Sequence, residues 1–173
     1  MLVTYSSKTG NTKKVAEAIA QALHTVSFDV KDAPDFKLYD LVIVGFWIDK
    51  GKPNAEARRY IETLHDIKTA FFFTLGAESD SEHARNCTNK AMSYFNNTEL
   101  MGNFCCQGKI SPALINMLKR LPAWFPHGPN PQRIARWEQA ATHPDAEDIL
   151  HAMDYFSHLL DNLVKNGTAD STN

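Results

Sequence analysis

A hydroxyl-rich loop stands near the amino terminus: Ser6-Ser7-Lys8-Thr9-Gly10-Asn11-Thr12. It follows an apolar segment, residues 1–5, and precedes a segment in which apolar residues recur every three or four positions from Val15 to Leu23. The first pattern predicts a buried strand and the second predicts an amphipathic helix. A loop of this composition at the start of a helix can direct several N–H and O–H donors to one point, where the helix dipole adds positive potential. We therefore interpret it as a phosphate-binding loop.

The same residue types also suit an ordinary turn that caps a helix, which is the alternative interpretation. Two other phosphate-binding patterns do not fit. The Walker pattern places its lysine directly after the second glycine, whereas Lys8 precedes Gly10, the only glycine in the loop. The dinucleotide pattern requires three glycines. A loop that binds through hydroxyls and amides, with few cations, favours the phosphate monoester of a mononucleotide over a triphosphate with its metal.

The loop and its flanks resemble the signature of the flavodoxin family. The matching positions are Tyr5, Ser7, Gly10, Thr12, Ala16 and Ile19. Thr4 departs from the signature, which has an apolar residue at that position. The resemblance implies that the cofactor is FMN and that the seven residues of the hydroxyl-rich loop bind its phosphate.

A second loop is predicted after residues 41–46, a continuous apolar run typical of a strand covered by helices on both faces. Trp47 then lies at the carboxyl edge of the sheet, where open α/β sheets bind ligands. The resemblance implies that this loop contacts the flavin ring through Phe46, Trp47, Ile48, Asp49, Lys50 and Gly51. The alternatives are a core or interface tryptophan at position 47 and a simple turn at residues 49–51.

A third loop follows the predicted strand at residues 70–75. The resemblance implies cofactor contacts from Leu75, Gly76, Ala77 and Glu78. Flavodoxins usually carry a second aromatic residue here, but residues 76–82 contain none, which would leave one face of the flavin open to a substrate or a partner. The carboxylates at positions 78, 80 and 82 would lower the reduction potential by Coulomb repulsion, unless they form only a solvated acidic loop.

The rest of the chain predicts a short second strand at residues 27–31 and a fifth strand at residues 100–106. It also predicts a helix that begins at Ser111 and a final helix over residues 145–165 that ends near Gly167. Ser79, with an acid three residues later, predicts the cap of the helix after the third loop. Residues 122–144 form a proline-rich insert that flavodoxins generally lack. It contains aromatic residues that we expect to be exposed, namely Trp124, Phe125 and Trp137. The insert is either a lid or docking surface near the cofactor or packing under the final helix.

Length and composition limit the possible classes of protein. The chain has 173 residues, of which 43% are hydrophobic, so we expect one domain over residues 1–165 and a flexible tail over 166–173. A net charge of −2 gives no reason to expect a nucleic-acid partner. The longest apolar run is too short to enter a membrane, and no signal peptide is evident, so we expect a cytoplasmic protein. The three cysteines are interpreted as reduced, buried hydrophobic residues.

These predictions combine into a three-layer α/β fold with a five-stranded, parallel, doubly wound sheet in the order 2-1-3-4-5. The predicted function is an FMN-binding electron-transfer protein that serves a redox partner protein or a small redox substrate. The alternative is a flavin-dependent NAD(P)H oxidoreductase that acts on a quinone or similar acceptor. A phosphoacceptor signalling domain has little support, because Tyr5 and Ser6 stand where an acidic cluster would be needed. No catalytic side chain, metal site or oligomeric state is predicted, since a flavin carries the redox chemistry itself.

Overall fold

A parallel sheet forms the centre of the computed structural model, which describes residues 1–125 and 128–169, with side chains as far as residue 165. Its strands are β1 (Leu2–Tyr5), β2 (Ser27–Asp29), β3 (Leu41–Asp49), β4 (Lys52–Pro53), β5 (Lys68–Leu75) and β6 (Glu99–Gln107). Five of them run parallel in the order β2-β1-β3-β5-β6, while β4 pairs antiparallel with β3. The predicted order is therefore confirmed for the parallel strands, and the short β4 is an addition.

Helices cover both faces of the sheet. They are α1 (Asn11–Ala22), α2 (Ala55–Ile61), α3 (Glu82–Met92), α4 (Pro112–Lys119), α5 (Pro131–Gln139) and α6 (Ala146–Ala169), with short 3₁₀ turns at Phe36–Leu38 and Ala140–Thr142. One buried cluster joins the sheet to α1 and α6, and a second joins it to α2 and α3. This arrangement gives the three layers that the sequence predicts.

The core follows from the alternation of side chains along the two central strands. Val44 of β3 lies in the cluster with α2 and α3, whereas its neighbour Ile43 lies in the cluster with α1 and α6. Phe72 of β5 packs across Gly45, where a Cβ atom would lie 2.1 Å from the Phe72 ring. The Phe72 ring meets Phe156 of α6 edge to face at 6.1 Å between centroids. A side chain at position 45 would therefore displace the ring that joins α6 to the sheet.

Thr4, the departure from the family signature, is fully buried in β1. Its hydroxyl donates a hydrogen bond to the carbonyl oxygen of Ile43 at 3.3 Å. A buried polar group is tolerated when it has such a partner, so the hydroxyl fits inside the sheet at this position.

The final helix extends beyond its predicted end. It continues to Ala169 and includes Gly167, because a single glycine weakens a helix without ending it. Residues 166–169 of the expected tail are thus helical, and residues 170–173 lie outside the described residues. At the start of α6, the Asp145 carboxylate accepts hydrogen bonds from the N–H groups of residues 147 and 148, and His143 bonds to the carboxylate of Asp148. The potential ligand atoms of these three side chains all lie within 4.8 Å of one another, close enough to hold a metal ion together. Two of the three, Asp145 and Asp148, form hydrogen bonds that cap the start of α6.

The insert contains helix α5. The prediction that all three of its aromatic residues are exposed is wrong for Trp137, which is 7% exposed, while Trp124 is 83% exposed. The amphipathic helix α5 directs the indole of Trp137 toward the interior, whereas Trp124 lies outside any helix. Two residues of the insert, 126 and 127, lie outside the described residues.

The cysteines behave as small hydrophobic side chains. Cys87 and Cys106 are buried, Cys105 is half-buried, and all three are free. Burial raises the pKa of the Cys105 thiol to about 11 and also raises the pKa values of the Cys87 and Cys106 thiols, which disfavours the reactive thiolate. Within the described residues, no helix combines the length and the apolar character that crossing a membrane requires.

Candidate functional site

The carboxyl ends of β1, β3, β5 and β6 surround a cleft of about 640 Å³. The three predicted loops each contribute to its lining. Their lining residues are Lys8, Thr9, Asn11 and Thr12 from the first, Trp47, Ile48 and Asp49 from the second, and Leu75 and Gly76 from the third. The fold thus brings together segments that lie far apart in the sequence.

A larger depression, of about 800 Å³, lies at the opposite edge of the sheet, where β3, β5 and β6 begin. It is lined by residues 39–40, 66–68 and 96–99, and none of the predicted site residues is among them. Ligands of open α/β sheets bind outside the carboxyl ends of the strands. The smaller cleft is therefore the candidate site.

The hydroxyl-rich loop is shaped by its own hydrogen bonds. The Oγ atom of Ser7 accepts a hydrogen bond from the backbone N–H of Gly10 at 3.1 Å. Gly10 has a φ of 90°, a left-handed conformation that glycine adopts without strain. Its carbonyl accepts a hydrogen bond from the N–H of Lys14 in the first turn of α1. Helix α1 therefore begins at the cleft, where its first N–H groups and its dipole favour an anion.

Two further hydrogen bonds join α1 to β5 and to the end of β6. The hydroxyls of Thr12 and Thr74 lie 2.9 Å apart in the interior, and the Asn11 side-chain amide donates to the Lys109 carbonyl at 2.9 Å. A Cβ at Gly108 would lie 3.0 Å from the Asn11 side-chain nitrogen. A side chain at position 108 would therefore press on this amide. The polar end of the cleft is assembled from α1, β5 and the residues after β6.

Ser6 is fully buried and does not line the cleft. Its hydroxyl donates to a carboxylate oxygen of Glu56 at 3.1 Å and accepts from the Asn54 amide at 2.8 Å. The other Glu56 oxygen lies 3.1 Å from the Lys31 ammonium. Hydrogen bonding by Lys31 and then by Ser6 lowers the pKa of the Glu56 carboxyl, and the same ion pair raises the pKa of Lys31. Ser6 thus holds the loop to α2 from beneath.

Trp47 lines the cleft from the end of β3. The next two residues, Ile48 and Asp49, pair with β4 in a hairpin, and the Trp47 carbonyl accepts a hydrogen bond from the N–H of Asn54 at 3.1 Å. The Lys8 ammonium lies 5.4 Å from the centroid of the indole, within the range of a cation–π contact. The hairpin therefore holds the indole beside the hydroxyl-rich loop.

Three neighbours of Trp47 that the resemblance placed in the site lie elsewhere. Phe46 is fully buried and stacks on Phe73 with centroids 5.8 Å apart, because successive residues of a strand point to opposite faces. Lys50 and Gly51 form the turn of the hairpin with φ values of 51° and 78°, as two-residue hairpin loops require. None of the three lines the cleft.

The third loop contributes only its first residues. Leu75 and Gly76 line the cleft, and a Cβ at position 76 would lie 2.8 Å from a side-chain carbon of Ile110. Glycine at this position therefore makes room for the segment that leads into α4. The beginning of the loop and the beginning of α4 form one continuous part of the lining.

The remainder of the third loop turns away from the cleft. Ala77 packs against the cluster between the sheet, α2 and α3, while Glu78 is exposed and its carbonyl accepts hydrogen bonds from the N–H and hydroxyl of Ser81. The predicted cap at Ser79 is wrong, since α3 begins at residue 82 and Ser81 accepts the capping hydrogen bond from the N–H of Ala84 at 3.2 Å.

The charge around the cleft differs from the expected acidic environment. The charged residues of the lining are Lys8, Asp49 and Lys109. The acidic side chains at positions 78, 80 and 82 are exposed and outside the lining. Two cations and one anion therefore face the cleft, and the acidic loop is solvated.

Sequence reasoning missed the part of the lining that follows β6. That part consists of Gly108, Lys109, Ile110, Ser111, Ala113, Leu114, Met117 and Leu118. Thr74 of β5, which also lines the cleft, was missed as well. The apolar spacing of α4 predicts a helix that buries one face, yet none of its residues is buried. The available signal was position: α4 starts just after a strand that ends at the carboxyl edge of the sheet.

The end of the insert reaches the same edge. The backbone N–H of Lys109 donates to the His143 carbonyl at 2.7 Å, and the Lys14 ammonium donates to the Pro144 carbonyl at 2.6 Å. Both ends of the segment between β6 and α6 are therefore fixed beside the cleft.

Comparison with known proteins agrees with this geometry. A family model described as a flavodoxin domain matches residues 2–157. The chain belongs to the flavodoxin family. The resemblance read from the hydroxyl-rich loop is thus confirmed, and the match extends through the insert into α6.

Relatives of this flavodoxin domain span nearly its whole length. The flavodoxin-like domain-containing protein BilS of Clostridioides difficile (strain CD3) is 32% identical over 168 residues, which cover 92% of this chain and 95% of that protein. Oxidised flavodoxin 2 from Bacillus cereus superposes with a TM-score of 0.59 at 15% identity, covering 93% and 97% of the two chains. General stress protein 14 from Treponema denticola, in complex with FMN, gives a TM-score of 0.52 at 11% identity, covering 91% and 97%.

Proposed function

We propose that this flavodoxin domain binds FMN in the cleft and transfers electrons to a redox partner protein or a small redox acceptor. The proposal is carried by one observation: the hydroxyl-rich loop at the start of α1 and the indole of Trp47 line the same cleft of about 640 Å³. The complex of the T. denticola relative with FMN supports the choice of cofactor.

The two kinds of lining fit the two parts of FMN. Thr9, Asn11 and Thr12, with the N–H groups of the first turn of α1, offer neutral donors to a phosphate monoester. Trp47 and Leu75 offer apolar surface to a flat ring, and an indole also stacks on it.

The bound flavin would supply the redox chemistry. The protein's own residues bind the cofactor, orient it and set the charge around it. No side chain of the lining has to act as an acid or a base in this role.

Titration of the apoprotein with FMN and with riboflavin, which lacks the phosphate, tests the proposal. Charge-assisted hydrogen bonds contribute about 1.5–3 kcal/mol each, so FMN should bind at least about tenfold more tightly than riboflavin. Binding is measured by quenching of flavin fluorescence and by the rise in Tm that ligand linkage produces. If neither signal changes on addition of excess FMN, the proposal is wrong.

A matched pair of variants locates the phosphate. Thr9 is exposed at the cleft, so Thr9→Val removes one hydroxyl without disturbing the core. It should weaken FMN binding at least about tenfold and leave riboflavin binding unchanged, while Thr9→Ser should keep the affinity of the wild type. Equal losses for both ligands would place the phosphate elsewhere.

A flavin-dependent NAD(P)H oxidoreductase is the second candidate function. It is favoured by residues 76–82, which contain no aromatic side chain to cover the ring, and which leave access for a nicotinamide or a quinone. The purified, FMN-loaded protein should then oxidise NADPH with a quinone acceptor and no added reductase. Reduction that depends on a separate reductase would favour the carrier instead.

A further inference from the structure

We infer that helix α4 provides the second ring-binding surface of the cleft, in place of the aromatic residue that the third loop lacks. We call the side chains of Ala113, Leu114, Met117 and Leu118 the α4 wall. This inference rests on the proposed function and assigns residues that neither the sequence nor the family resemblance identified.

Helix α4 is unusually exposed for an apolar helix. The helix is rich in apolar residues, and such a helix normally buries a stripe against the rest of the domain. Yet none of its residues is buried, and Leu114 and Met117 are 43% and 55% exposed. The apolar surface that α4 leaves uncovered is therefore available to a ligand.

This apolar surface of α4 lines the cleft. The four residues of the α4 wall have the spacing i, i+1, i+4 and i+5, which places them on one face of a helix. All four line the same cleft as Thr12 and Trp47. A molecule held by hydroxyls at one end of this cleft and by the indole therefore also meets aliphatic side chains.

The third loop meets the segment that leads into α4 at Gly76. Gly76 cannot carry a side chain without a clash, because its Cβ would lie 2.8 Å from Ile110. The space that a side chain at position 76 would need is filled by Ile110, the residue that leads into α4. Ile110, which excludes a side chain at position 76, leads directly into α4, and both line the cleft.

The chemistry of the wall suits a flat aromatic ring. The flexible thioether of a methionine adapts to irregular surfaces and makes favourable sulfur–aromatic contacts, and Met117 lies in the middle of the exposed face. The α4 wall contacts the ring and not the phosphate, which distinguishes its effect from that of the hydroxyl-rich loop.

The test compares Leu114→Gln and Met117→Gln with the control Leu150→Gln. Leu150 is a 57% exposed leucine of α6 that does not line the cleft. Each apoprotein is titrated with FMN and with riboflavin. Loss of half-buried apolar contact should weaken the binding of both flavins by the same factor, about three- to tenfold, in the two α4 variants. The Leu150→Gln variant should bind as the wild type does.

Other outcomes overturn the inference. Unchanged affinities in both α4 variants would show that the wall does not contact the ring, and a loss for FMN alone would assign the effect to the phosphate end. A lower Tm of the apoprotein in the α4 variants, compared with Leu150→Gln, would indicate a structural role. Failure of the proposed function is recognised separately, because the wild-type protein itself would then bind neither flavin.

Discussion

The two ends of the cleft are built in different ways. At the polar end, Asn11 and Thr12 are hydrogen-bonded to β5 and to the residue after β6, and buried Ser6 holds the loop from beneath. At the apolar end, α4 has no buried residue. The difference reflects the forces involved: hydrogen-bond donors must be aligned before they bind an anion, whereas apolar contact has no preferred direction and tolerates a loosely packed wall.

The largest expected effect is on flavin affinity, which should depend on the indole of the cleft, Trp47, and not on the indole of the insert, Trp124. Trp47→Ala should weaken the binding of FMN and riboflavin alike, by about 10–100-fold, because it removes an aromatic surface worth about 1.5–3 kcal/mol. Trp124 is 83% exposed, and Trp124→Ala should leave both affinities unchanged. Fluorescence titration measures both. A comparable loss in the Trp124 variant would instead support the idea that the insert closes over the ring as a lid.

A smaller effect is expected on the reduction potential, because cations face the cleft. Lys8→Met removes the ammonium beside Trp47 and should make the potential of the bound flavin more negative, by on the order of tens of millivolts. The control is Lys90→Met. Lys90 lies on α3, away from the cleft, and its ammonium is 5.8 Å from the centroid of the Tyr94 ring, a similar contact. Equilibration with redox dyes measures the potential. Equal shifts of the reduction potential in both variants would show that Lys8 has no effect specific to its position at the cleft.

The smallest effect concerns the network under the hydroxyl-rich loop. The pKa of Glu56 is lowered from its ordinary value of 4.5, so its ion pair stabilises the fold above that pH and loses its effect as the pH falls through the lowered pKa. Glu56→Gln should reduce Tm by about 1–2 °C near neutral pH, since the pair is largely exposed. The difference from the wild type should vanish in acid.

Glu62→Gln, at the exposed end of α2, controls for the loss of one negative charge. Thermal melts across the pH range compare the two variants. A Glu56→Gln deficit that persists unchanged in acid would show that the network acts through packing and not through charge.

The fold and the polar end of the cleft could be predicted because their signals are local. The hydroxyl-rich loop lies between a strand and a helix with clear periodicity, and its glycine marks the left-handed residue that starts α1. The apolar run at residues 41–46 predicts a central strand but not which face each side chain meets, because both faces are covered. Phe46 and Trp47 were therefore assigned together, although the strand directs them to opposite sides.

The rest of the site depends on contacts that no local pattern encodes. The spacing in α4 predicts burial, and only the three-dimensional position of the helix shows that its apolar face meets the cleft. The exposure of the acidic residues at 78, 80 and 82 likewise follows from the direction in which the third loop turns. The alternative interpretation of a simple turn at residues 49–51 is the one that the structure forms at Lys50 and Gly51, while the pairing of this turn's flanks with the two-residue strand β4 has no pattern in the sequence.

The hydrogen bond between the Lys109 N–H and the His143 carbonyl has a consequence for how this domain can vary. It brings together the two ends of the segment formed by residues 110–142, and the entropy of closing such a loop grows only with the logarithm of its length. Residues can thus be gained or lost in its outer part at little cost to the sheet. The domain can change the surface around its cleft while the strands that carry the loops of the cleft keep their positions.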